Sequence, residues 1–153
     1  SQPIVMRINV SKDSGGTFVI SFDDTIVTIS GKDLKVLLLE IMHAFGSTGQ
    51  TAIRETNCDQ FFARVKESDD VSLQTLIQIA EHDDMVTLVK LAERDEAVLQ
   101  RLFSNMSDNN RKIFQEDADY RFKETVPSDD ADLALLRLTQ ICDTLTAEGR
   151  AEI

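Results

Sequence analysis

The 153 residues are 42% hydrophobic and 28% charged, a balance typical of a soluble globular chain long enough to bury a real core. Against 27 Asp and Glu stand only 16 Lys and Arg, a net charge of −11. That excess argues against nucleic acid, since phosphate binding needs Lys and Arg to release counterions; it disfavours anionic membrane and permits a basic protein partner.

The first thirty residues read as β structure. Ile4, Met6, Ile8 and Val10 alternate with Val5, Arg7 and Asn9, which predicts a strand over about 4–10. Lys12-Asp13-Ser14-Gly15-Gly16 supplies a turn, 17–22 a second strand, Asp23-Asp24 a tight turn, and 25–30 a third strand rich in β-branched residues. Three meandering strands need a cover on one face. Leu34, Leu37, Leu38, Ile41, Met42 and Phe45 recur at helical spacing and predict a lid helix over about 33–45, closed by Gly46 as a C-cap.

Residues 46–50 read as a flexible break, and a second helix is expected over 58–67 with Phe61, Phe62 and Val65 inward. From Asp70 the pattern is helical throughout, in short pieces. Each begins at an acidic or hydroxyl residue: Asp70, Asp83, Asp95, Ser107 and Ser128. Charge shifts at the same place, from a net −2 over 1–69 to −9 over 70–153. The expected fold is therefore α+β. A small α+β domain (1–69) holds a three-stranded antiparallel meander with one or two helices, and an all-α bundle of short helices (70–153) follows.

Several chemistries find no support. Asp83-Asp84, Asp95-Glu96 and Asp129-Asp130-Asp132 suit the positive ends of helices better than a metal ion, and His43 and His82 have no neighbouring His or Cys. No nucleophile elbow and no phosphate-cradling loop is present, so neither enzyme nor cofactor is expected. No apolar run approaches the roughly 20 residues of a membrane span. The N-terminus lacks the pattern of a secretory signal, and Cys58 and Cys142 read as buried small residues rather than a disulfide, so a cytoplasmic protein is expected.

The most telling segment is 103–117. Asn105-Met106-Ser107 ends one helix and caps the next, and Glu116-Asp117 follows nine residues after Ser107. Leu88-Val89-Lys90 precedes it, and a long last helix with Leu133, Leu136, Ile141 and Leu145 ends at Gly149 and Ala151-Glu152-Ile153. Over about 70–153 this order resembles the C-terminal domain of the bacterial flagellar motor switch (rotor) protein FliG. There, Ala-Leu-Lys, Asn-Met-Ser, an acidic pair and a tail near Gly-Glu-Ile occur in the same sequence. The resemblance implies a helical, non-enzymatic protein-interaction domain concerned with motility. Its partner would be a basic helix of a stator or rotor component, met through Lys90, Glu116 and Asp117. Asn109 stands where the family has a stator-facing Arg, and 122–127 replaces Gly-Pro-Val-Arg.

A helical wheel on Asp108–Arg121 places Ile113 and Phe114 inward and Asp108, Lys112, Gln115, Glu116 and Asp119 outward, with Asp117 near the apolar side. The candidate partner-binding residues are thus Lys90, Asp108, Lys112, Glu116 and Asp117. An ordinary solvated face, with Asp117 paired to Arg121 and Lys112 to Asp108 or Glu116, would carry the same pattern. Two further roles fit the sequence: a FliG-like fold repurposed as a cytoplasmic scaffold or regulator unrelated to motility, and a small-molecule role for the first domain.

Overall fold

In a computed structural model, described over residues 5–46 and 58–153, three antiparallel strands precede seven helices. The strands are β1 (Ile8–Lys12), β2 (Phe18–Phe22) and β3 (Thr25–Ile29), paired in the order β1-β2-β3. The helices are α1 (Gly31–Phe45), α2 (Cys58–Glu67), α3 (Asp70–Ile79), α4 (His82–Ala92), α5 (Glu96–Phe103), α6 (Asp108–Arg121) and α7 (Ser128–Ala147). The fold is α+β, as expected. Ile4 and residues 47–50 of the expected break lie outside the described residues.

The chain forms two compact units, 1–53 and 54–153. The sequence reading put the boundary at 69/70 and gave α2 to the first unit. In the structure α2 belongs to the second, packing on α5 and α7 with Phe61, Phe62 and Val65 buried. The later boundary follows from the change of pattern and of charge near Asp70 and from the span of the resemblance. An amphipathic helix goes where its apolar stripe finds a matching one, whatever charge flanks it.

In the first unit the register sets Ile8 opposite Phe22, Val10 opposite Ile20 and Ile20 opposite Val27. Side chains alternate along a strand, so Ile8, Val10, Phe18, Ile20, Phe22, Val27 and Ile29 share one face. Asp13 closes the β1–β2 turn, accepting from the Gly15 N–H at 2.7 Å and the Thr17 hydroxyl at 3.1 Å. Asp23 takes a left-handed φ of 53°, which a short polar side chain tolerates, and its carboxylate accepts from the Arg7 N–H at 2.8 Å. Ser30 caps α1 by accepting from the Asp33 N–H at 3.1 Å, and Gly46 ends it at a φ of 70°. The lid did not materialise. No residue of α1 is buried, and of its apolar stripe only Leu34 and Leu37 are even half-buried.

The second unit is built around α4, buried from Asp84 through Val89 and packed against α5, α6 and α7. Leu73, Leu76, Leu88, Leu102, Leu138 and Leu145 are fully enclosed. Three caps involve carboxylate or hydroxyl side chains. Asp69 accepts from the Ser72 N–H at 2.7 Å, Asp95 from Val98 at 3.3 Å and Ser107 from Asn110 at 3.1 Å. Asp69, rather than Asp70, is thus the cap of α3. At α4 the cap position is Glu81, so Asp83 and Asp84 fall within the first turn; at α7 it is Pro127, with Ser128 the first helical residue. Cys142 is buried, which pushes its thiol up to about 11, whereas Cys58 is only half-buried; both are free thiols.

These carboxylates couple folding to pH. The Ser72 side chain and N–H hold Asp69 below its usual range, Arg101 and then Asn105 do so for Asp70, and Lys66 and then the Val98 N–H for Asp95. The unfolded chain, with ordinary values near 3.8, therefore binds more protons in the acid range. Stability contributed above 3.8 is lost as pH falls through the depressed folded values. In urea titrations the unfolding midpoint should drop as pH is lowered below about 4, and less steeply in Asp95→Asn. A midpoint that rises on acidification would contradict this account.

Candidate functional site

The segment joining α5 to α6 is held by a side chain. Asn105 is buried, and its amide donates to the Arg101 carbonyl at 2.8 Å and to the Asp70 carboxylate at 3.2 Å, while its oxygen accepts from Gln74 at 3.1 Å. Arg101 also donates to Asp70 and to the Ser68 carbonyl. One residue therefore ties the end of α5 to the start of α3, and Ser107 then opens α6 at a fixed angle. Asn-Met-Ser is thus a structural corner. Beside it runs an open groove of about 670 Å³ between α3 and α6, lined by amides including Gln74, Gln78 and Asn110 over Ile77, Met106 and Phe114.

Helix α6 buries Phe114 and Ala118, with Phe122 just beyond its end. Ile113, expected inside, is exposed; Ala118, four residues after Phe114, completes the narrow buried stripe instead. Asp108, Lys112, Gln115, Glu116 and Asp119 are all exposed, as the wheel predicts. Lys112 and Glu116 stand 4.0 Å apart, both largely in water, a pair worth only about 0.3–0.5 kcal/mol.

Asp117 meets His82 of α4 at 2.7 Å, and the His82 ring stacks on Phe114 with centroids 5.0 Å apart. Arg121, the partner expected for Asp117, donates instead to the Asp83 carbonyl at 3.3 Å and lies over the Phe122 ring. Lys90 sits beneath the ridge with its side chain only 10% exposed, between Glu93 at 3.2 Å and Asp119 at 3.4 Å. Burial pulls its pKa down, but Glu93 and then Asp119 outweigh that and leave it raised. Asp108, Lys112 and Glu116 thus form an open outer strip on one helix. Asp117 and Lys90 fasten that helix to α4.

Sequence reasoning missed His82 and the ridge residue Tyr120, 82% exposed with the Lys123 ammonium 5.4 Å from its ring centre. It also gave no tertiary role to Asp119. No local spacing could reveal His82 or Lys90 as anchors of α6, because their partners lie 35 and 29 residues away. Arg111, two positions after Asn109, lies across the Phe103 ring at 4.7 Å. Among the described residues, no group of three or more His, Cys, Asp or Glu is placed to hold a metal ion, and no helix is long and apolar enough to cross a membrane.

The family model for the FliG C-terminal domain matches residues 52–153. The chain belongs to that family. The match takes in α2 as well as the helices after it, in agreement with the extent of the second unit. No curated protein and no solved structure gives a significant match. A FliG C-terminal domain is a protein-interaction domain of the flagellar motor switch, a structural component rather than a known enzyme family. In this FliG C-terminal domain the charged helix α6 is mounted on the buried helix α4.

Proposed function

We propose that the outer strip of α6 docks a basic partner helix, in a motor or switch assembly at the cytoplasmic side of a bacterial membrane. One observation carries the reading: Asp108 and Glu116 project into water from a helix that His82, through Asp117, and Lys90, through Asp119, fasten to α4. Fixed acidic groups of this kind steer a cationic partner and set its register more than they raise affinity.

The test uses the basic cytoplasmic helix of the host's own stator protein, titrated against the full chain by fluorescence anisotropy. Combining Lys112→Glu with Glu116→Lys preserves net charge and helix pairing but inverts the pattern. Binding should weaken roughly tenfold, about 1.4 kcal/mol, with helicity unchanged by circular dichroism. Equal binding by the double variant would remove the proposal. A second reading, a scaffold outside the motor, is favoured by Asn109 in the place of the family's Arg and by the added β unit. A deletion strain that swims normally would select it.

A further inference from the structure

His82 is the only histidine of the helical unit; the other of the two, His43, lies in the first. Histidine is the side chain whose charge ordinarily changes between about pH 5 and 8. Here His82 Nε2 stands 2.7 Å from the Asp117 carboxylate, and the two side chains are 49% and 50% exposed. Asp117 directly follows Glu116, at the flank of the exposed face of α6, so a partner lying on that face can reach it. One carboxylate thus faces both an internal cation and the docking surface.

The imidazole has little freedom to follow Asp117 should that carboxylate turn to another cation, because its ring is stacked on the Phe114 ring at 5.0 Å. His82 is also the first residue of α4, where the helix end disfavours a positive charge. An imidazolium there depends on Asp117. The other charges around it stay the same whether a partner is present or not. Glu81 and Asp83 adjoin His82 on its own helix, Asp84 is turned to Arg137 of α7, and Arg121 of α6 donates to the Asp83 carbonyl. From α3 the groove beside His82 is lined by Gln74, Ile77 and Gln78, all uncharged. Helix α6 stays mounted without the pair, through buried Phe114 and Ala118 and the Lys90–Asp119 contact.

We infer that docking on α6 is gated by a proton on His82. When protonated, His82 keeps Asp117 as its own counterion. When neutral, it offers only a hydrogen bond, which the charge-assisted bond of a partner's ammonium or guanidinium displaces. Docking and protonation therefore oppose each other, each weakening the other by the same factor. The gate rests on α6 being the docking surface proposed above, and it fixes the sign of regulation: affinity rises with pH.

Anisotropy titrations of the full chain with the stator helix should weaken roughly fivefold from about pH 8 to about pH 6, the interval in which histidines gain charge. Calorimetry near the lower end, in two buffers of different ionisation heat, should record release of up to about one proton per complex. His82→Gln stays neutral yet can still donate to Asp117. It should bind with one affinity across the range and release no proton, with helicity unchanged by circular dichroism. Asp117→Asn, at a half-exposed position, is the second variant and should flatten the pH profile as well. A wild-type affinity independent of pH, with no proton released, would overturn the gate and leave the docking surface standing. A His82→Gln profile as steep as the wild type's would overturn it too, by placing the proton on another group. No binding at any pH would remove the docking surface and the gate together.

Discussion

Replacing Arg137 by Ala should destabilise the helical unit by about 3 kcal/mol at neutral pH, more than any single surface change. Arg137 of α7 donates to the Asp84 carboxylate of α4 at 3.3 Å. Asp84 is buried, and its second oxygen has no hydrogen-bond partner among the described residues. Desolvation raises its pKa above the ordinary value, against the opposing pull of Arg137. Without Arg137 the carboxylate must either stay charged in an apolar site or take up a proton.

The sign with pH follows. A carboxyl whose folded pKa lies above its unfolded value binds extra protons in the native state. Stability from this group therefore falls as pH rises from 3.8 through the folded value. The Arg137→Ala penalty should thus be smaller near pH 5 than at pH 7, opposite in trend to the contribution of Asp69, Asp70 and Asp95. For a domain of this size 3 kcal/mol lowers the thermal midpoint by about 12–20 °C. The double change Asp84→Leu with Arg137→Met should recover most of the loss, because a buried ion pair can be replaced by apolar groups at little cost. Calorimetry decides: a loss under about 1 kcal/mol, or no recovery in the double variant, would mean that Asp84 needs no partner.

Leu88→Ala should cost about 3–4 kcal/mol, near the upper part of the range for a fully enclosed leucine. Leu88 lies on α4, which packs against α5, α6 and α7, so a cavity there has neighbours on several sides and little room to collapse. Leu133→Ala on α7 removes the same atoms from a half-exposed position and should stay within about 0.5 kcal/mol. Chemical denaturation of the two variants gives the comparison. Equal losses would place the centre of the core elsewhere. Because α4 also carries His82 and Lys90, the Leu88 variant should loosen α6 before the unit unfolds, weakening partner binding at temperatures where helix content is still native.

The local parts of this architecture were readable from the chain alone. Asp108–Arg121 and Cys58–Glu67 fall where capping and periodicity place them, since both signals act within a turn or two. The exposed residues of the α6 strip and the Lys112–Glu116 pair were likewise visible, being fixed by positions one turn apart on one helix. The start of α4 was not. Glu81, Asp83 and Asp84 can all begin a helix, and packing chose the frame that buries Asp84.

Sequence by itself determined that three strands lead into a run of short helices, that one helix wears an ionic face, and which family the corner Asn105-Met106-Ser107 belongs to. Tertiary structure alone decided that α2 joins the helical unit, that no residue of α1 is buried, and that His82, Lys90 and Arg137 reach partners on other helices. The reason is range. Caps, turns and periodicity are settled by neighbours in the chain, whereas the owner of an apolar face, or the counterion of a buried charge, is chosen by whichever distant surface fits it.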